Sequence, residues 1–216
     1  QRLNNLGYFE KVTIDRKPGS TPDRTELDVE VQEKSTGEIS FGAGYSTTDG
    51  AVADFGVRER NFLGRGQDLR VRGQIGSKRQ QYDIGFTEPY FLGRELEAGF
   101  DLYKTIQSFQ DNSAFERKAD GVVLRTGYNM SEHLKHQIRY TYEKSSISNV
   151  AAGASLLIQQ QVGDNRLSML GHSFIYDLRD NKQNPTNGYY LRLNQDLAGL
   201  GGDDRFLRHE IQGEYY

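Results

Sequence analysis

The chain has 216 residues, a net charge of −3 and a mean hydropathy of −0.75, and so weak a charge gives no reason to expect a nucleic-acid partner. Its 24 glycines, 13 tyrosines and 11 phenylalanines argue against simple disorder, and the absence of cysteine excludes disulfides and thiolate metal sites. No window approaches the ~20 apolar residues that a membrane helix needs. Low hydropathy with many glycines and aromatics is typical of a transmembrane β-barrel, because half of each strand faces a polar lumen.

The first 34 residues carry the only helical pattern in the chain. Arg2–Leu6 resembles the last turn of a helix, and Gly7 stands where a left-handed cap would lie. Two strands are expected next, at Lys11–Arg16 and Glu26–Glu33, with a turn at Lys17–Gly19 between them. The order helix, strand, turn, strand predicts the end of a small α+β domain over residues 1–34.

The segment Gly37–Thr47 is the first strand of a different pattern. Its residues alternate between an apolar face, formed by Ile39, Phe41, Ala43 and Tyr45, and a small polar face, formed by Glu38, Ser40, Gly42, Gly44 and Ser46. A period of two residues with one apolar face predicts a half-buried β-strand.

Similar alternation continues to the end of the chain. Strands are expected at about Val52–Arg60, Asp68–Gly76, Gln80–Glu88, Leu96–Thr105, Ala119–Tyr128, Leu134–Ser145, Leu167–Asp177, Tyr189–Leu197 and Phe206–Tyr216. Alternating segments of roughly ten residues bounded by turns are the signature of an outer-membrane barrel. The fold class is therefore predicted as mainly β, with residues 35–216 forming the N-terminal strands of an antiparallel transmembrane β-barrel.

The connections between these strands fall into two sets. The set expected on the side of the N-terminal segment is Asn61–Gln67, Pro89–Glu95, Asn129–His133 and Arg179–Gly188. The set expected on the opposite, outer side is Thr48–Gly50, Ser77–Arg79, Ile106–Arg117, Ile147–Asn165 and Ala198–Asp204. The second set contains the two longest loops, as the outer loops of such barrels do.

Several motifs resemble the BamA family of outer-membrane protein assembly factors. The segment Leu6–Val12 is similar to the end of a POTRA (polypeptide-transport-associated) domain, and the segments Arg60–Gly66 and Phe86–Gly93 resemble the first two inner turns of the family's barrel. Further matching motifs are Asp177–Asn181, Asn184–Gly188 and Leu197–Gly202. The resemblance covers essentially the whole chain and implies a sixteen-stranded barrel of which this sequence is a fragment.

The resemblance also implies a role for the first barrel strand. In the family this strand meets the last strand at a weak seam, and the terminal strand of a client protein pairs with it. The expected client-pairing edge and lateral gate is Glu38, Ile39, Ser40, Phe41, Gly42, Ala43, Gly44 and Tyr45. Gly42 and Gly44 would weaken the strand and favour opening, but they could equally make room for close packing inside the barrel.

Other polar and turn residues have structural interpretations. Pro89 should end a strand because it cannot donate to a ladder, while Glu88 precedes it and Tyr90 and Phe91 can anchor at the membrane interface. Five arginines are expected to face the lumen: Arg70, Arg72, Arg125, Arg139 and Arg192. Their expected partners are acids such as Glu97, Asp101 and Glu143.

No catalytic or metal-binding pattern is found. His133 and His136 would point to opposite faces of an extended segment, so they cannot hold one metal ion. The segment Gly171–Ile175 imitates a nucleophile elbow but lacks its second glycine and lies within a predicted strand. The sequence predicts no enzyme, no catalytic residue, no metal and no cofactor.

The predicted function is therefore the assembly and insertion of β-barrel proteins into the bacterial outer membrane, with the N-terminal segment in the periplasm. The partners that the resemblance implies are unfolded outer-membrane protein clients, lipoprotein accessory subunits and outer-membrane lipid. Two alternatives remain at this stage: a protein secretion or translocation pore of the same superfamily, and a passive outer-membrane channel. An outer-membrane hydrolase is disfavoured because no nucleophile and base are paired.

Overall fold

The computed structural model describes residues 8–21, 23–47, 50–109, 115–181 and 185–216. These residues form two antiparallel sheets, one of two strands and one of ten. The strands are β1 Phe9–Pro18, β2 Thr25–Glu33, β3 Gly37–Ser46, β4 Gly50–Phe62, β5 Gln67–Gly76, β6 Arg79–Glu88, β7 Leu96–Ser108, β8 Glu116–Asn129, β9 Leu134–Ser148, β10 Gly163–Asp177, β11 Tyr189–Ala198 and β12 Phe206–Tyr215. A 3₁₀ helix spans Phe91–Gly93, and an α-helix, α1, spans Leu156–Gln160.

The two-stranded sheet is a hairpin formed by β1 and β2. Its ladder runs to Pro18 opposite Thr25, and the turn closes with the amide of Gly19 donating to the carbonyl of Arg24 at 3.0 Å. The turn predicted at Lys17–Gly19 was therefore placed too early, because proline is tolerated at the end of a ladder where its missing N–H is not needed. The predicted helical turn and Gly7 cap lie outside the described residues.

The ten-stranded sheet is a simple meander. Each strand from β3 to β12 pairs antiparallel with its neighbours in the chain, so the connections alternate between the two ends of the sheet. This alternation agrees with the two predicted sets of connections. Because successive side chains point to opposite sides, the sheet has an apolar face, which carries Phe41, Phe55, Ile84 and Phe100, and a polar face on the opposite side.

The predicted strands match the observed ones to within two residues at each end, except that β7, β8, β9 and β10 are three or four residues longer at one end. Glu116 pairs with Ser148, and Gly163 pairs with Ile147. These extensions were missed because most of their residues are polar, so the alternation fades before the backbone ladder ends. The helix α1, in the connection between β9 and β10, was also not predicted.

Little of either sheet face is covered by other parts of the described chain. The buried apolar residues in the described ranges are only Ala119, Met169 and Ala198. By contrast, Phe41 on the apolar face is 78% exposed. Over the same residues, no helix has the length and apolar character needed to cross a membrane.

Candidate functional site

The candidate site is the edge formed by β3. This strand pairs only with β4, from Gly37 opposite Glu59 to Ser46 opposite Gly50. No strand in the described residues pairs with its other side. An unpaired edge presents a row of backbone N–H and C=O groups that can template another strand. Within the described residues, β3 therefore has free backbone groups along the side that faces away from β4.

The apolar residues of β3 are strongly exposed. Phe41 and Tyr45 are 78% and 81% exposed, and Ile39 lies on the same face. The main lateral contact is between the rings of Phe41 and Phe55, whose centroids are 5.3 Å apart. The structure thus places the predicted edge residues on one strand with the predicted alternation, while their role in client pairing stays a prediction.

Side-chain contacts hold β3 mainly at its first residues. The hydroxyl of Thr36 donates to the carboxylate of Glu59, and Arg60 forms an ion pair with Glu38. In the middle of the strand, attachment depends on the backbone ladder to β4 and on the Phe41 ring. β3 is therefore fixed at the end nearest the hairpin and less constrained further along.

The polar-face glycines of β3 are less closely packed than those of the other strands. In strand interiors, the other polar-face glycines each lie close to a side chain directly opposite on a neighbouring strand; they are Gly56, Gly85, Gly99, Gly121, Gly127 and Gly171. A Cβ at each of these six would lie within 3.2 Å of a neighbouring atom. At Gly42 the nearest atoms, on Asp54, are 3.6 Å away, and at Gly44 nothing lies within 4 Å. Close packing among the described residues therefore does not explain the two glycines of β3.

Two of the crowded glycines lie between an arginine and an aspartate. Arg70, Gly85 and Asp101 are directly opposite one another on β5, β6 and β7, and the Arg70 guanidinium reaches Asp101 at 3.0 Å. A side chain on the middle strand would block this contact, because a Cβ at Gly85 would lie 2.7 Å from Oδ1 of Asp101. The glycine thus allows an ion pair to form across an intervening strand.

The same arrangement recurs on β9, β10 and β11. Arg139, Gly171 and Asp196 are directly opposite one another, and Arg139 forms an ion pair with Asp196 over the glycine. A Cβ at Gly171 would lie 2.2 Å from Oδ1 of Asp196. Asp196 is 1% exposed and also accepts from Arg208 on β12 at 2.7 Å, so one carboxylate links four strands.

The predicted lumen arginines have carboxylate partners in part. Arg125 donates to Asp101 at 2.9 Å, as expected, and Arg70 also contacts Asp83 at 3.0 Å. The expected partner Glu97 instead accepts from Lys135 at 2.6 Å. Sequence alone could not assign these partners because they depend on the strand register.

The expected ion-pair partners of Glu143 and Arg192 were wrong. Glu143 accepts from the hydroxyl of Tyr103 at 2.6 Å and from Arg117 at 3.1 Å, rather than from one of the five predicted arginines. Arg192 donates to the amide oxygen of Asn194 at 2.9 Å and has no carboxylate partner in the described residues. Asp196 and Arg208 were missed altogether, although both occupy the polar positions of their strands.

The predicted inner-turn motif forms a compact turn after β6. Glu88 is the last residue of that strand, and its carboxylate accepts from the amide of Tyr90 at 2.9 Å and from the side chain of Gln67 at 2.7 Å. Pro89 follows the strand end as expected, and Phe91 begins the 3₁₀ helix. Tyr90 and Phe91 are both exposed, as the predicted anchoring at a membrane interface requires.

Tyr8 connects the two-stranded sheet to an inner turn of the larger sheet. Its hydroxyl donates to the carbonyl of Gly66 at 3.5 Å, and its own carbonyl accepts from the amide of Lys34 at 3.0 Å. Burial raises the pKa of Tyr8 above 10.0, and the negative charge of Asp68 adds to this. The phenol therefore remains protonated and can keep donating at physiological pH.

The turn between β10 and β11 is closed by a carboxylate. Asp180 accepts from the hydroxyl of Thr186 at 2.5 Å, from the amide of the same residue at 2.9 Å and from the amide of Asn187 at 3.2 Å. These bonds, led by the Thr186 hydroxyl, lower the pKa of Asp180 from 3.8 to about 2. The stabilisation is therefore complete above pH 3.8 and is lost as the pH falls through about 2.

We expect the Thr186→Val variant to raise the pKa of Asp180 toward 3.8, because it removes the largest cause of the depression. Carboxyl carbon chemical shifts measured by NMR during an acid titration would report the value directly. Thr126→Val, which removes a hydroxyl on β8, is the control and should leave this titration unchanged. A normal aspartate pKa in the unmodified chain would contradict the turn geometry.

No metal site is found in the part of the chain that the structure describes, where no three His, Cys, Asp or Glu side chains converge suitably. His133 lies in a turn, and His136 is on the apolar face, where its Nε2 is 3.4 Å from Nδ1 of His172. The imidazole of His136 thus has His172, on the neighbouring strand β10, as its histidine contact.

These features define a class of fold: an antiparallel meander of ten strands with one uncovered apolar face and one ion-paired polar face. The Omp85 superfamily domain matches residues 61–216, and the chain belongs to this superfamily. The match begins near the end of β4, so the candidate edge strand lies just before it.

Two curated relatives align over all or nearly all of the chain. The outer membrane protein assembly factor BamA of Nitratidesulfovibrio vulgaris is 27% identical over 218 residues, which cover 100% of this chain and 27% of the relative. The sorting and assembly machinery component 50 homolog A of Xenopus laevis is 26% identical over 217 residues, covering 98% of this chain and 46% of the relative. The chain thus spans between a quarter and a half of the length of these relatives.

A solved structure shows a similar fold. The crystal structure of BamA from Haemophilus ducreyi lacking POTRA domains 1–3 matches 98% of this chain and 43% of its own, with a TM-score of 0.73 and 21% sequence identity. The meander of β3–β12 is therefore similar to part of the sheet in that protein.

Proposed function

We propose that this chain is part of an assembly factor that folds and inserts β-barrel proteins into the bacterial outer membrane. The observation that carries the proposal is that, among the described residues, β3 pairs on one side only and its Gly42 and Gly44 meet no close neighbour. Glycine in a strand interior weakens the strand by roughly 0.5–1 kcal/mol relative to alanine. Such a strand suits a seam that opens and re-pairs. The names of the relatives from Nitratidesulfovibrio vulgaris and Xenopus laevis support the same reading.

In this proposal residues 35–216 are the N-terminal strands of a sixteen-stranded transmembrane barrel. The apolar face, carrying exposed residues such as Phe41, Ile84 and Ile211, contacts lipid. The polar face, with its arginine–aspartate pairs, lines the lumen. The other strands of such a barrel would lie between β12 and β3 and would pair with both edges. This pairing is needed because lipid cannot satisfy unpaired backbone groups.

Residues 1–34 would be the end of a POTRA domain in the periplasm. The hairpin of β1 and β2 has an apolar side on which Ile14 faces Val29 and Val31 faces Val12. Ile14 is 53% exposed, and two strands alone do not make a stable unit in water. A helix packed on this side, as in the α+β fold expected from the sequence, would cover it.

The mechanism is strand templating without a cofactor, a metal or a chemical step. A client strand adds to β3 through backbone hydrogen bonds, which tolerate many sequences and so suit a factor with many clients. The weak seam and locally perturbed lipid lower the barrier to insertion. The partners are unfolded outer-membrane proteins, lipoprotein accessory subunits and outer-membrane lipid.

The test is site-specific cross-linking in the full-length protein, reconstituted in liposomes with a stalled client barrel. In the Ser40→Cys and Gly44→Cys variants, the new cysteine should form a disulfide with a cysteine in the client's terminal strand. The control is Ser145→Cys, which lies on the same polar face but on β9, inside the sheet. Absence of adducts at both edge positions, or equal adducts at the control, would refute the edge mechanism.

A constitutive disulfide between β3 and the final strand of the full-length protein separates this function from a secretion pore. Tethering should abolish the assembly of a client barrel, scored by heat-modifiable gel mobility. A pore that carries substrate through its lumen would keep working when the seam is closed.

A further inference from the structure

The polar face has a recurring three-strand arrangement. On β5–β7 and again on β9–β11, an arginine, a glycine and an aspartate stand directly opposite one another. In each case the guanidinium crosses the glycine of the middle strand and binds the carboxylate beyond it. The glycine is needed because any side chain on the middle strand would occupy the path of the ion pair.

The β3 edge of the sheet contains the glycine and the aspartate of the same arrangement, but not the arginine. Gly42 on β3 is directly opposite Asp54 on β4, and a Cβ at Gly42 would lie 3.6 Å from Oδ2 of Asp54. Asp54 accepts one hydrogen bond, from the side chain of Gln74 at 2.8 Å. No cation within the described residues forms an ion pair with it. The position that an arginine occupies in the complete arrangements is, for Gly42, on the unpaired side of β3.

We propose that the client strand that pairs with β3 carries an arginine directly opposite Gly42, and that its guanidinium crosses this glycine to bind Asp54. This rests on the proposed function, since it requires a client strand at that edge, and it adds a side-chain specificity to pairing through the backbone. In both complete arrangements the arginine is the residue opposite the glycine, which fixes the register of the client strand.

Arginine fits this position better than lysine. Its planar fork donates two parallel hydrogen bonds to a carboxylate, and its long side chain can span one strand spacing of about 4.8 Å. Arg70 and Arg139 already make this crossing in the same sheet. A glutamate at the same client position would place two negative charges on either side of Gly42 and oppose pairing.

The empty space beside Gly44 gives the client arginine room to reach Gly42. Gly44 lies two residues from Gly42 on the same face, and no atom lies within 4 Å of its Cβ position. The arginine side chain can therefore approach Gly42 from that direction without displacing other groups. Replacing Gly42 with valine should block the crossing while leaving the backbone edge of β3 available.

The experiment uses the full-length protein in liposomes and a stalled client barrel, with the strand register first set by the Ser40→Cys cross-link, which leaves the space beside Gly44 empty. The client residue opposite Gly42 is then arginine, glutamine or glutamate, and the initial rate of adduct formation is measured. We expect glutamine to slow adduct formation about threefold and glutamate about tenfold relative to arginine. With Asp54→Arg the order should reverse, so that the glutamate client reacts fastest.

Asp120→Asn is the matched control, because Asp120 is an exposed strand aspartate on the opposite face, paired with Lys104 at 3.4 Å. It should leave the preference for arginine unchanged, and heat-modifiable mobility should show that each variant is folded. Equal rates for all three clients, with adducts still forming, would overturn the arginine proposal while leaving edge pairing intact. Absence of adducts with every client would instead refute the edge mechanism itself.

Discussion

Replacing Asp196 with alanine should destabilise the folded sheet by about 2 kcal/mol, because it removes a buried carboxylate that accepts hydrogen bonds from two partly exposed arginines. Asp196 is 1% exposed, and its carboxylate lies between Arg139 on β9 and Arg208 on β12. Without it, two guanidinium groups would face each other across β10 and β11 with no counter-charge. The measurement is urea unfolding of the full-length protein in liposomes, followed by heat-modifiable gel mobility.

Asp120→Ala is the control for this substitution. It removes a strand aspartate of the same charge whose ion pair with Lys104 is more than half exposed on both sides. Exposed pairs contribute about 0–1 kcal/mol, so its unfolding midpoint should shift little. Equal destabilisation by the two variants would show that Asp196 does not join the four strands in the way that its contacts indicate.

Replacing Gly121 with valine should also destabilise the sheet, by about 2 kcal/mol from overpacking. A Cβ at this position would lie 2.2 Å from Cζ of Tyr103, whose ring covers the glycine from β7. The ring must move away, and its hydroxyl then loses the hydrogen bond to Glu143 at 2.6 Å. The loss should appear as a lower urea midpoint in the same liposome assay.

Two further variants separate crowding from the general effect of β-propensity. Gly44→Val adds the same side chain to a polar-face position where nothing lies within 4 Å, so it should be neutral or stabilising. Combining Gly121→Val with Tyr103→Ala should recover part of the lost stability, because the clash is removed. A Gly121→Val protein as stable as the unmodified one would show that the ring accommodates the added methyl groups elsewhere.

Most of the architecture could be predicted from the sequence because alternation in a single-layer sheet is a local property. The segment Gly37–Ser46 shows both its faces without reference to any other strand. The prediction was less accurate where a strand has no clear alternation of polar and apolar residues. Most residues in the extensions of β8–β10 are polar, and the Leu167–Asp177 segment is apolar on both faces, so in neither case did the alternation show which residues face which side.

The candidate site could be predicted only in part, because its distinguishing feature is a comparison between strands. The sequence shows glycines at 42, 44, 121 and 171, with nothing to tell them apart. The strand register assigns Tyr103 to Gly121 and Asp196 to Gly171, but no close neighbour to Gly44. Asp101 was expected correctly as a partner of the arginines, but the roles of Glu97 and Glu143 were wrong for the same reason, since these contacts depend on the strand register.

The meander also determines how the sheet can come apart. Every strand from β3 to β12 pairs only with its neighbours in the chain, so the sheet is a one-dimensional stack. Detaching β3 breaks a single ladder, whereas detaching an interior strand breaks two. From β3 inward, amide exchange should therefore slow progressively toward β9 and β10, where the Arg139–Asp196 pair links adjacent ladders. Such a gradient would let one end of the sheet undergo repeated local unfolding while the rest remains a rigid support.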